Sequence, residues 1–139
     1  MVRPTDDLST AARLMREQHI GYLIVVEPSM QEAGFRPVGV LTDRDIVVSV
    51  VAKDADPRSL RVGDVMTQNP VTALTEDTLA DALEQMKRIG VRRLPVVGDF
   101  GLLAGVLSLD DILTRMAEEL SSATSAILRE RALEAALRT

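Results

Sequence analysis

Gly39-Val40-Leu41-Thr42-Asp43-Arg44-Asp45-Ile46 returns later in the chain as Gly105-Val106-Leu107-Ser108-Leu109-Asp110-Asp111-Ile112. Both copies carry a glycine, two aliphatics, a hydroxyl residue and an aspartate three positions after it, and both run from an aliphatic stretch into a helical pattern. A repeat fixes architecture before any local element is assigned, so the comparison extends outward from this pair. Upstream, Leu8, Ala11, Ala12 and Met15 stand at the i, i+3, i+4, i+7 spacing of an amphipathic helix, and Leu79, Ala82, Leu83 and Met86 repeat it 71 residues later. Asp7 and Thr78 are the candidate N-caps. The match continues without a gap from Ile20 through Leu23-Ile24-Val25-Val26 and from Val91 through Leu94-Pro95-Val96-Val97. Short aliphatic runs of this kind read as buried strands.

The second half then turns through Gly98-Asp99-Phe100-Gly101 into a strand at Leu102 to Leu107. The first half uses a longer loop, Glu27 to Pro37, before Val38 to Leu41. Each half is therefore helix, strand, strand, helix, the last helix ending near Lys53 or Leu120. Asp54-Ala55-Asp56-Pro57-Arg58-Ser59 reads as a polar linker, and Val62 to Ala73 as a lead-in with a strand around Pro70-Val71-Thr72. That strand has no full counterpart in the first half, because subtracting 71 from Thr72 gives residue 1. Three accounts of the missing strand are open: one damaged cleft, a strand lent by a partner, or a truncated chain. Ser121-Ser122-Ala123-Thr124-Ser125 reads as a break before a final helix with Ala126, Glu130, Leu133 and Leu137 on one face. The expected divisions are residues 1–61, 62–120 and a helical tail at 121–139.

The duplicated Thr/Ser-x-x-Asp places a hydroxyl and a carboxylate where a strand enters a helix. Two readings compete. In one, Thr42 or Ser108 is an N-cap and Asp45 or Asp111 reaches back to the cap's own N–H, closing a capping box. In the other, the helix start offers free N–H groups to a phosphate while the aspartate accepts from the two hydroxyls of a ribose. Gly39 and Gly105 would then let a ligand approach the backbone.

With two copies of this pattern, the chain resembles the CBS domain, which occurs in pairs called Bateman modules. The resemblance spans residues 2–120 and extends to Val62-Gly63-Asp64-Val65-Met66-Thr67 and Val91-Arg92-Arg93-Leu94. It implies an α/β (α+β) fold in which two tandem repeats pack as one pseudo-symmetric module with small β-sheets and flanking helices. It also implies an adenosyl ligand (AMP, ADP, ATP, NAD or S-adenosylmethionine) in clefts between repeats, with Asp45 or Asp111 on the ribose and Thr42 or Ser108 on phosphate. Arg92 and Arg93 stand where members often place basic residues facing phosphate; the alternative is that both are solvated. Their first-half counterparts are Gly21 and Tyr22, so any grip from these positions is lopsided. Arg44 adds positive charge to the first motif, whereas its counterpart Asp110 opposes a polyphosphate. Thr42 and Asp45 are accordingly the favoured site, and a homodimer through the repeat helices is expected.

Composition sets the outer limits. Apolar residues make up 46% and charged residues 27% of 139, as in globular proteins, and aromatics only 2%, so the core is aliphatic. The net charge of −5 argues against gripping a nucleic-acid backbone. The apolar runs are too short to span a bilayer, no secretory h-region follows Met1, and cysteine is absent; the expectation is a cytoplasmic protein with no membrane partner. One histidine, His19, cannot supply a zinc site or a catalytic triad and reads as a surface residue, while Met15 and Met86 read as core fillers. No Walker A loop and no G-x-S-x-G elbow are present. The expected function is a regulatory nucleotide-binding module, not an enzyme and without a metal; the alternative is a ligand-free dimerisation scaffold.

Overall fold

The computed structural model describes residues 1–138. Its elements are helix α1 (Leu8–Gln18), strands β1 (Tyr22–Pro28) and β2 (Phe35–Thr42), helices α2 (Asp43–Ile46) and α3 (Val62–Val65), strands β3 (Thr67–Gln68) and β4 (Ala73–Leu74), helix α4 (Leu79–Ile89), strands β5 (Arg93–Val97) and β6 (Leu103–Ser108), and helix α5 (Leu109–Leu137). Two three-stranded sheets form, ordered β1-β2-β3 and β4-β5-β6. The fold is mixed α/β, as the repeat implied. The described residues divide into two compact units, one of residues 1–77 with 95–106 and one of residues 78–94 with 107–138.

In the first unit β1 and β2 pair antiparallel, and the register shifts between Val25, opposite Gly39, and Val26, opposite Pro37. Val38 is the extra residue of this bulge, a place where proline costs no ladder hydrogen bond, and its carbonyl accepts from Asn69 N–H at 3.3 Å. Both strands run further than their aliphatic cores suggest, so the long loop shrinks to Ser29–Gly34, closed by Ser29 N–H donating to the Gly34 carbonyl at 2.9 Å. The core is aliphatic: Leu8, Ala11 and Met15 of α1 pack with Leu23, Val25, Leu41, Val50 and Val62. After α2 the helix widens into a π-turn at Val47–Val51, with Ala52 N–H reaching the Val47 carbonyl at 2.9 Å. Val50 thereby points inward while Val47, Val48 and Val51 remain exposed. The linker is held to the N-terminal segment by Leu8 N–H to Leu60 carbonyl at 3.1 Å and Val62 N–H to Asp6 carbonyl at 2.9 Å.

The opening strand of the first repeat is reduced to one parallel bridge, Val2 to Val25, while in the second repeat Ala73 and Leu74 pair parallel with Val96 and Val97. Adding 71 to Val2 and Val25 gives Ala73 and Val96, so the bridge is the equivalent contact. The strand expected around Pro70–Thr72 instead begins at Ala73. Asn69 at φ 51° turns the chain there, and Pro70 has no N–H to contribute to a ladder.

In the second unit Ala82 and Met86 of α4 are buried, as are Leu94 and Ile112. Thr78 and Asp81 close a capping box, which holds the Asp81 carboxyl below its ordinary 3.8 through the Thr78 backbone N–H first and the hydroxyl second. Asp7, the matching cap of α1, makes no cap bond and faces Arg61 instead at 3.2 Å. The expected break at Ser121–Ser125 is absent, and α5 runs unbroken to Leu137. Thr124 Oγ1 donates to the Leu120 carbonyl at 3.1 Å and Ser125 Oγ to the Ser121 carbonyl at 3.0 Å, so these hydroxyls bond back along the helix and leave the ladder intact. Every described residue from Ser121 onward is exposed.

Candidate functional site

Strand β2 delivers Thr42 to the start of α2 in extended conformation, φ −115° and ψ 160°. Thr42 N–H donates to Asp45 Oδ2 at 2.9 Å, and Asp45 N–H donates to Thr42 Oγ1 at 3.1 Å. The second copy does the same: Ser108 N–H reaches Asp111 Oδ2 at 3.3 Å and Asp111 N–H reaches Ser108 Oγ at 3.0 Å. Both motifs are capping boxes, and each uses one oxygen of its carboxylate. The other oxygen, Oδ1, is not used by either box. The two copies differ in setting, since Thr42 and Asp45 are half-buried whereas Asp111 is exposed.

Each junction is also held to the chain ahead of its first strand. Asp43 N–H donates to the Gly21 carbonyl at 3.1 Å, and Leu109 N–H donates to the Arg92 carbonyl at 2.7 Å. A side chain at residue 21 would start 2.5 Å from Asp43 Oδ2, so glycine stands there; in the second copy leucine replaces Asp43 and arginine fits. The structure therefore brings Arg92 to the Ser108–Asp111 box. Its guanidinium lies 3.4 Å from Asp110 Oδ1, with both side chains largely exposed. Asp110 is thus countered by Arg92 within its own repeat. Arg93 opens β5 and is exposed, as is Arg44, whose N–H donates to Asp43 Oδ1 at 2.8 Å.

The glycines of the motifs separate. A Cβ on Gly39 would meet Met66 Sδ at 2.6 Å and the Thr67 carbonyl at 2.9 Å, so the approach of β3 alone demands glycine there. Gly105 faces open space. His19 is exposed, at φ 54° in the left-handed cap of α1, where the second repeat has Gly90 at φ 70°. Met15 and Met86 are buried. Among the described residues no three His, Cys, Asp or Glu side chains are grouped to hold a metal, and no helix is long and apolar enough to cross a membrane.

Sequence reading missed a matched pair of turns: Arg3 N–H on Asp6 Oδ2 at 2.7 Å and Leu74 N–H on Asp77 Oδ2 at 2.8 Å. The signal was present, because Asp6 and Asp77 lie 71 residues apart like the helices they precede. A recess of about 550 Å³ in the first unit, lined by Leu8, Ala12, Ile46, Val50 and Asp54 among others, also went unread. Neither Thr42 nor Asp45 lines it.

The CBS domain family model matches residues 1–52 and again 62–118. The chain belongs to the CBS domain family. It is 34% identical over 110 residues to an uncharacterized protein of Methanopyrus kandleri, covering 79% of this chain and 54% of that protein. The chain spans between half and two thirds of the length of the first curated relatives it matches. Among solved structures, CBSX2 in complex with AMP superposes with a TM-score of 0.70 at 26% identity, over 87% of this chain and 88% of that one. The hexameric CBS-CP12 protein of bloom-forming cyanobacteria gives 0.66 at 30% identity, over 81% and 62%.

Proposed function

We propose that this CBS pair is a regulatory module that binds an adenine nucleotide or a related adenosyl ligand and passes its presence to a partner copy or target protein. The observation that carries the reading is the duplicated junction, in which Asp45 and Asp111 each commit one carboxylate oxygen to a cap and retain a second acceptor. A ribose diol needs such an acceptor beside backbone donors. The AMP complex of CBSX2 supports the ligand class. We favour the Thr42–Asp45 junction, because its carboxylate is half-buried and a hydrogen bond there competes less with water. Arg44 would add charge toward phosphate at that site, and Arg92 and Arg93 at the other. The exposed Val47, Val48 and Val51 support a homodimer through the repeat helices. Proposed assignments of repeats at 1–61 and 62–120 follow the duplicated elements.

A melting screen with AMP, ADP, ATP, NAD, S-adenosylmethionine and GTP tests the reading. A ligand at a hundredfold excess over its Kd stabilises by about 2.7 kcal/mol, which shifts the transition by several degrees. A flat response to all six at millimolar concentration refutes nucleotide binding and leaves the scaffold function.

A further inference from the structure

The two sheets end differently. In the first, β3 covers the outer edge of β2, with Gly39 opposite Gln68, Val40 opposite Thr67, and Asn69 N–H donating to the Val38 carbonyl at 3.3 Å. In the second, the order β4-β5-β6 makes β6 the terminal strand, and among the described residues no strand pairs with its outer edge. Ala104, Gly105 and Val106 are the repeat equivalents of Val38, Gly39 and Val40. All three are exposed, Val106 at 45%.

Among the described residues nothing requires glycine at 105. Its φ lies outside the left-handed region and no atom stands within 4 Å of where a Cβ would be, whereas a Cβ on Gly39 would collide with Met66 Sδ and the Thr67 carbonyl. Glycine inside a strand weakens it and commonly marks the close approach of another backbone. At Gly39 that backbone is β3; at Gly105 no described residue supplies one. The edge also lacks the usual protection against an added strand, because Leu103-Ala104-Gly105-Val106-Leu107 carries no charge and no proline.

We propose that the outer edge of β6 at Ala104–Val106 is a strand-addition site, taken by an extended segment of a partner polypeptide that lies antiparallel on it as β3 lies on β2. The chemistry of the occupant is read from Met66-Thr67-Gln68: a long, unbranched apolar side chain over the glycine, then uncharged polar residues along the edge. A charged strand of either sign finds no counter-charge in residues 103–107. Main-chain hydrogen bonds supply the affinity and the open space over Gly105 the selectivity. The site uses neither repeat helix and stands whether or not a nucleotide binds.

The probe is a synthetic peptide with the sequence of residues 62–69, titrated to millimolar concentration into the full isotope-labelled chain and followed by nuclear magnetic resonance. Saturable shifts are expected at the amides of Ala104, Gly105 and Val106, with those of Val38, Gly39 and Val40 unmoved because β3 already covers them. Gly105→Leu puts its new side chain into open space, so it is expected to keep at least the parental urea stability while abolishing the shifts at Ala104 and Val106. A second peptide with glutamate in place of its methionine is expected to lose binding as well. No shifts in the parent, shifts centred on residues 38–40, or undiminished binding by folded Gly105→Leu each overturns the site, and undiminished binding of the glutamate peptide overturns the assigned occupant. AMP is titrated in parallel: movement of the Gly105 amide by AMP and not by the peptide assigns the open glycine to a nucleotide and overturns strand addition.

Discussion

Replacing Asp45 by alanine separates the two jobs assigned to its carboxylate. In the free protein it accepts one backbone hydrogen bond, from Thr42 N–H at 2.9 Å, while the reciprocal bond from its own N–H to Thr42 Oγ1 survives the change. Half of the capping box is lost, at a half-buried position, so the cost in unliganded stability is about 1 kcal/mol within the ~0.5–2 range of lost caps. The ligand job is larger. If the proposed ribose diol sits on the carboxylate, two hydrogen bonds to a charged acceptor are lost, each worth ~1.5–3 kcal/mol, and affinity is expected to fall by about a hundredfold or more.

Asp111→Ala is the internal control. Its box bond is longer, 3.3 Å from Ser108 N–H, and its side chain is exposed, so both the stability loss and the affinity loss are expected to be smaller. Chemical denaturation without ligand reads the first quantity, and calorimetry with the strongest ligand of the melting screen reads the second. Asp45→Ala with parental affinity refutes the ribose assignment at Thr42–Asp45. If Asp111→Ala alone loses affinity, the occupied site is the second one.

Arg92→Ala breaks only an exposed 3.4 Å ion pair with Asp110, so stability should change by less than about 1 kcal/mol; calorimetry should show a greater loss for ATP than for adenosine, and equal losses would place Arg92, and with Arg93→Ala both arginines, outside any phosphate contact. Gly39→Ala should destabilise by about 1–3 kcal/mol in urea unfolding, because the new methyl meets Met66 Sδ at 2.6 Å and the Thr67 carbonyl at 2.9 Å; a neutral result would mean that β3 is not held against β2 in solution. Asp81 has its carboxyl held below 3.8 by Thr78, so its contribution to stability is present above pH 3.8 and is lost as pH falls through the lower folded value; Asp81→Ala should flatten the acid limb of the stability profile, and an unchanged limb would show that this cap is not formed.

Most of the architecture was legible because the repeat constrains itself: a helix stripe, an aliphatic strand and a hydroxyl-to-aspartate spacing seen twice exclude most accidental matches. Where reading failed, the deciding contact was one that local pattern does not encode. The strand at Ala73–Leu74 exists through parallel pairing with Val96 and Val97, and nothing in Pro70-Val71-Thr72 advertises that its partner lies further on. Likewise Ser121–Ser125 carries the composition of a break, yet Thr124 and Ser125 satisfy their hydroxyls on carbonyls one turn back, and the flanking alanines and leucines favour helix on both sides.

The candidate site shows the same division in sharper form. Spacing alone revealed that Thr42 and Asp45, or Ser108 and Asp111, meet across a helix start, and both boxes formed. It did not reveal the position of Arg92, which depends on a backbone bond from Leu109 N–H to the Arg92 carbonyl, 17 residues apart in the chain. Once that bond is formed, the side chain at residue 92 is presented to the first turn of α5, where Asp110 takes it up. In the first repeat the same backbone bond ends on Gly21, and the space beside it belongs to Asp43. One junction therefore carries an arginine paired with an acid and the other an acid beside a bare glycine. Two junctions built on one motif can in this way differ in charge while sharing a backbone, which is the physical basis for proposing that, as ligand sites, they would differ in the anion they accept.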